Sequence, residues 1–159
     1  TLYNDSIVAQ IVKRFQKQDA IVIYVPDHGE ECYEENRGFI CRNHSAEIDW
    51  PLAHYEFEIP FWIYCSPKYI RNHRDIYRQI RKAKDKRFMT DALPHLLLYL
   101  AGIETPTYKE EYNILSPKYD EMRPRILKNS ADYDKLRDAH LEKIKKEESK
   151  KVIKKERRN

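Results

Sequence analysis

Glycine is almost missing from this 159-residue chain: Gly29, Gly38 and Gly102 are its only three. That scarcity excludes a phosphate-cradling P-loop, a GxGxxG dinucleotide fingerprint and a GxSxG nucleophile elbow. Each needs clustered glycines where backbone approaches a ligand. Long apolar runs are missing too. The longest, Leu96 to Ile103, is too short to cross a bilayer, and no signal-peptide pattern opens the chain. The sequence starts at Thr1 without a methionine, which reads as a processed product or an excised fragment. What is present argues for folding. Apolar residues make up 41% and there are 12 tyrosines, so the 35% of charged residues does not imply wholesale disorder. One domain with a real core suits this length.

The charge is unevenly placed. From Leu141 to Asn159 there are nine Lys/Arg against four Asp/Glu, a net +5, whereas the preceding residues carry 21 against 22, a net −1. Basicity therefore belongs to a C-terminal tail, residues 134–159, expected to be partly helical or disordered. Such a tail can touch anionic headgroups or nucleic acid, or simply be solvated. It contains no aromatic residue for base stacking, and no nucleic-acid partner is expected.

Tyr3, Ile7, Val8, Ile11, Val12 and Phe15 recur at helical spacing and predict an amphipathic helix. The unbroken β-branched run Ala20 to Val25 predicts a strand buried on both faces, ended by Pro26. Helix, strand and polar residues in that order are the grammar of an α/β fold, where ligands gather beyond the carboxyl ends of strands. A polar loop is expected over residues 27–55, then a strand over Phe57–Cys65 with Pro60 marking a bulge or edge. Helices are expected over Arg74–Lys84 and Ala92–Ala101, the second capped by Thr90-Asp91 and closed by Gly102. The Pro- and Tyr-rich stretch after Ile103 reads as an ordered wrap with a short strand near Arg125–Leu127.

The densest chemical signal is Asp27-His28-Gly29-Glu30, directly after the first strand. A carboxylate and an imidazole suit Zn²⁺, and Gly29 would let the backbone turn so that both face one point. A turn using Asp27 as its cap accounts for the same residues. His44 and His54 follow in the loop; His73 and His140 sit in charged, solvated surroundings, and His95 reads as a hydrogen-bonded core histidine.

These residues also carry a resemblance. Tyr3-Asn4-Asp5, Asp27-His28-Gly29-Glu30, Asn43-His44-Ser45 and Glu58-Ile59-Pro60-Phe61-Trp62-Ile63 are similar to the catalytic domain of membrane-associated phosphoethanolamine transferases. So are Thr90-Asp91-Ala92-Leu93-Pro94-His95-Leu96, Leu100-Ala101-Gly102-Ile103, Asn113-Ile114-Leu115-Ser116-Pro117 and Arg123-Pro124-Arg125-Ile126-Leu127. Those enzymes belong to the sulfatase and alkaline phosphatase superfamily. The resemblance implies that residues 1–133 are the C-terminal portion of an alkaline-phosphatase-like sandwich, with a mostly parallel central sheet flanked by helices.

It further implies that Asp27 and His28 bind the catalytic Zn²⁺, that His44 holds a substrate phosphate or second metal, and that Glu30 supports the ligands from outside. Asn43 stands where relatives usually place a glycine. The threonine nucleophile and the acidic zinc ligand of relatives have no counterpart here and are expected upstream, so the chain alone should be inactive. The implied reaction of the whole enzyme takes phosphoethanolamine from phosphatidylethanolamine onto the nucleophile and passes it to a lipid A or other phosphorylated glycolipid. A membrane-spanning region absent from this chain would anchor it in the inner membrane with the catalytic domain in the periplasm; the piece itself would be soluble. Disulfides form in that compartment. Cys32 and Cys41 could therefore be bridged or both free, with Cys65 buried and reduced. The competing enzyme is a sulfatase or phosphodiesterase of the same superfamily, and the competing class is a noncatalytic binding module.

Overall fold

The computed structural model describes residues 2–34, 38, 40–41, 47–128 and 130–156. In chain order its elements are α1 (Leu2–Phe15), β1 (Ile21–Tyr24), β2 (Glu31–Cys32), β3 (Ile40–Cys41), α2 (Trp50–Phe57) and β4 (Trp62–Cys65). They continue with α3 (Pro67–Asn72), α4 (Arg74–Ala83), α5 (Leu93–Ala101), β5 (Ile126–Leu127), β6 (Ala131–Asp132) and α6 (Tyr133–Glu156). Two compact units result: Thr1–Val25 with Pro60–Arg123, and Pro26–Ile59 with Pro124–Asn159.

In the first unit β1 and β4 pair antiparallel, Ile21 opposite Cys65 and Tyr24 opposite Trp62. Tyr24 and Trp62 stack with ring centroids 5.2 Å apart, the kind of cross-strand pair that stabilises a sheet. The α/β character holds, but the mostly parallel central sheet does not appear among the described residues. All three described sheets are two-stranded and antiparallel. A parallel neighbour for β1 requires a crossover that returns the chain in the same direction, and the segment reaching β4 returns it reversed. β1 is correspondingly half-buried along its length and not covered on both faces.

Several boundaries differ from the sequence reading. The strand expected from Phe57 begins only at Trp62, because Phe57 closes helix α2 and Pro60 precedes the ladder. Helix α2 lies inside the expected polar loop. It starts where the Asp49 side chain accepts from the Leu52 amide at 3.0 Å, with Pro51 in its first turn. Ser66 starts α3 in the same way, accepting from Tyr69 N at 3.0 Å, and its hydroxyl donates to Gln18 O at 2.5 Å. Helix α5 ends as expected, with Gly102 at φ 65° and the Ile103 amide donating to Leu98 O at 3.0 Å. Its start does not. No side chain caps it, and Asp91 instead forms a bidentate pair with Arg123 at 2.6 and 2.7 Å. That guanidinium holds the Asp91 carboxyl below its usual range, outweighing burial.

Leu96, Ile114, Leu115 and Ala83 form the core of this unit. The expected wrap is thereby ordered: Asn113 is fully buried, donates to Tyr108 Oη at 2.9 Å and accepts from Leu115 N at 3.1 Å. In the second unit Ala53, Leu127 and Tyr133 are the core, joined by Trp50, Phe57 and Leu136. Among the described side chains of α6, those of the first two turns reach this core, and residues 141–151 are all exposed. Cys65 is free and buried, and burial pushes its thiol pKa up.

Candidate metal centre

Asp27 and His28 open the second unit, three and four residues beyond the end of β1. The Asp27 side chain is 88% exposed and that of His28 27% exposed, with Asp27 Oδ2 and His28 Nε2 3.3 Å apart. His28 Nδ1 lies 2.8 Å from the Gly29 carbonyl oxygen. A carbonyl can only accept, so Nδ1 carries the hydrogen, and in the neutral imidazole Nε2 then presents a lone pair toward the carboxylate. Two such acceptors repel unless a cation, a proton or a metal, lies between them. Nitrogen and oxygen donors at roughly 2.0–2.1 Å on a tetrahedral Zn²⁺ stand about 3.3 Å apart. The two side chains therefore fit adjacent corners of a zinc site, and the Nδ1 bond is the kind that orients a ligating imidazole.

Gly29 holds this pair in place, for a reason different from the expected turn. Its φ is not in the left-handed region, which among the glycines is occupied by Gly38 and Gly102. Instead its backbone lies against the last turn of α2. Its amide donates to Glu56 O at 2.9 Å, and an added Cβ would stand 2.2 Å from the Tyr55 carbonyl oxygen. Helix α2 thus forms the support for the loop that carries His28. The support is itself tied to α6. Tyr133 Oη donates to Glu58, whose carboxylate also faces His54 Nδ1 at 3.0 Å, and Trp50 packs beside Tyr133 with centroids 5.8 Å apart.

The remaining site candidates separate. Glu30 is exposed, and the acid that the loop buries is its neighbour Glu31, at 0% exposure, with Glu56 of α2 at 4%. Neither burial is legible in the sequence, because residues 27–55 read as a polar loop and hide α2. His44, together with Asn43 and Ser45, lies outside the described residues. His54 stacks on Trp50 at 5.4 Å, and so does His140, at 5.1 Å, so His140 is not simply solvated. His73 faces Asp19 at 3.4 Å and stacks on Tyr69 at 4.3 Å. His95 accepts from the Lys109 amide at 3.1 Å, in keeping with a hydrogen-bonded structural histidine. Cys32 is a free, exposed thiol whose backbone stands opposite Ile40, and the Cys41 side chain, on which the Cys32–Cys41 pairing turns, lies outside the described residues. Among the described residues no group of three or more His, Cys, Asp and Glu side chains converges on one point.

The chain is similar to phosphoethanolamine transferases. The phosphoethanolamine transferase EptC of Escherichia coli O18:K1:H7 (strain RS218 / NMEC) is 30% identical over 143 residues, and EptC of Escherichia coli strain K12 is 29% identical over 143. Each alignment covers 85% of this chain but 23% of the relative, so the chain spans about a quarter of their length. Crystal structures of the C-terminal periplasmic domain of Escherichia coli EptC, one of them a complex with Zn, superpose with a TM-score of 0.66 at 28% identity. They match 85% of this chain and 38% of theirs. No protein-family model matches.

Proposed function

We propose that this chain is the C-terminal part of a zinc-dependent phosphoethanolamine transferase and contributes Asp27 and His28 as two of its metal ligands. The observation that carries the reading is the 3.3 Å Oδ2–Nε2 separation, with Nδ1 already committed to a carbonyl. Similarity to proteins named as transferases supports transfer over sulfate-ester hydrolysis.

Bound zinc would supply Lewis acidity, polarising the transferring phosphoryl group and favouring the ionised form of a nucleophilic hydroxyl. The roles of this chain's own residues are narrower. Asp27 and His28 would hold the ion, Gly29 would fix the imidazole plane, His44 would neutralise nonbridging phosphate oxygens, and Glu30 would support the ligands from the outside. The nucleophile would come from outside the chain: Thr90 sits in a 3₁₀ turn, and Thr105 and Thr107 are occupied with each other at 3.1 Å. Donor and acceptor would be phosphatidylethanolamine and a phosphorylated glycolipid. Among the described residues no helix is long and apolar enough to cross a membrane, so the inner-membrane anchor of this reading would lie outside them, with the catalytic part in the periplasm.

Zinc titration of the whole chain against a chromophoric competitor tests the assignment. Asp27→Ala and His28→Ala should each weaken binding at least about tenfold while leaving the helical signal unchanged. The chain by itself should show no phosphoester turnover with zinc added. Parent-like zinc affinity in both variants would defeat the ligand assignment and leave a shared scaffold with a noncatalytic role.

A further inference from the structure

We infer that the projecting half of α6 is a membrane-surface helix that docks on anionic phospholipid. Beyond His140 the helix leaves the core of its unit, and every residue from Leu141 to Lys151 is exposed. Over that stretch Lys143, Lys145, Lys146, Lys150 and Lys151 outnumber Glu142, Glu147 and Glu148, and the excess grows to +5 by Asn159. Leu141 and Ile144 are 45% and 38% exposed, one turn apart on one side of the helix. At 3.6 residues per turn, Lys143, Lys146 and Lys150 fall on the other side, roughly 160° away.

Lys145 and Lys151 flank the apolar pair, where their stems can lie along the acyl boundary while the ammonium groups reach phosphates. Glu148 falls on the apolar side and limits the depth, so the helix lies among headgroups and does not insert. Lys146 pairs with Glu142 at 3.8 Å, an exposed contact too weak to withdraw its charge. The exposed Leu141–Ile144 pair stands between lysines, and a nucleic acid would be served by stacking side chains, with no Phe, Trp or Tyr present from 141 to 159. An anionic lipid surface uses both features at once: apolar contact at the headgroup boundary and electrostatic attraction from the lysines.

The test is co-sedimentation of the full chain with phosphatidylcholine vesicles, with and without added phosphatidylglycerol, at low and high salt. Binding should require phosphatidylglycerol and fall with salt. Lys145→Gln/Lys150→Gln/Lys151→Gln should reduce partitioning by about a hundredfold, at about fivefold per charge. Leu141→Ser/Ile144→Ser should reduce it severalfold with helicity retained. Equal partitioning on both lipids, or full binding by the serine variant, overturns the inference. Tighter retention on polyuridylate than on phosphatidylglycerol vesicles overturns it in favour of nucleic acid. The inference rests on α6 alone, so loss of zinc from Asp27 and His28 leaves the vesicle result unchanged.

Discussion

A methyl group at position 29 has nowhere to go. The Tyr55 carbonyl oxygen would be 2.2 Å away, and it belongs to helix backbone, which cannot swing aside as a flexible side chain can. Gly29→Ala must therefore lift the loop from α2, break the 2.9 Å amide bond to Glu56 O and displace the carbonyl that orients His28. The expected cost is about 2 kcal/mol or more in urea denaturation, with zinc affinity falling at least about tenfold. Gly38→Ala gives the control for backbone strain without a clash, because a Cβ there meets nothing within 4 Å and its cost comes from the left-handed φ of 66°, so it should destabilise by about 1 kcal/mol and leave zinc affinity unchanged. If Gly29→Ala bound zinc like the parent, α2 would not be the support of the pair. At this scale the sequence was informative about which residues carry chemistry and silent about why the glycine is there. The dipeptide Asp27-His28 announces itself by type and adjacency. A close approach to a helix 26 residues later does not, and the same blindness hid Glu31, buried beside a helix that polarity had disguised as loop.

Elements were legible where the pattern was periodic or punctuated. The 3.6-residue spacing of α1 and α4 and the Gly102 stop of α5 were read correctly. Short α2 and α3 were missed although their Asp49-Trp50-Pro51 and Ser66-Pro67 starts carry a cap residue before an early proline. The contact between α2 and α6 also has a measurable pH signature. Burial raises the Tyr133 hydroxyl pKa, and the bond to Glu58 adds to it, bringing it to about 12. For Glu58 burial acts to raise the pKa, but the Tyr133 bond, His54 and Arg125 together hold it below 4.5. Tyr133 titrates higher when folded, so its contribution is complete below the unfolded value near 10 and disappears as pH climbs through about 12. Glu58 titrates lower when folded, so its contribution is present above its unfolded value and is lost as pH falls through the folded one. Tyr133→Phe should cost about 1.5 kcal/mol at neutral pH and flatten the stability loss between pH 10 and 12. Chemical denaturation across that range decides it; an alkaline limb as steep as the parent's would show that the bond to Glu58 carries no linkage.

For the molecule as a whole, composition was read as if every apolar residue had a place inside the chain, and some do not. β1 has the unbroken Ile-Val-Ile-Tyr character of a doubly covered strand, yet it is only half-buried and, among the described residues, paired with β4 alone. Helix α1 shows the amphipathic spacing expected of a packed helix, yet none of its residues is buried; Leu2, Tyr3, Ile7 and Ile11 are 86%, 78%, 40% and 44% exposed. Periodicity reports the burial that residues are suited to, whereas the burial achieved depends on partners being present, and this chain matches 38% of the domain it resembles. An apolar helix face of this kind should bind hydrophobic dye and drive self-association of the isolated chain. Replacing Ile7 and Ile11 with lysine should lower dye fluorescence and shift sedimentation toward monomer. Because neither residue is buried, the double change should alter unfolding free energy by less than about 1 kcal/mol, within the range of ordinary surface substitutions. A cooperative loss of several kcal/mol would mean that α1 is packed in solution after all. Unchanged dye binding with unchanged stability would place the exposed apolar surface elsewhere, at the open edges of the β1–β4 pair.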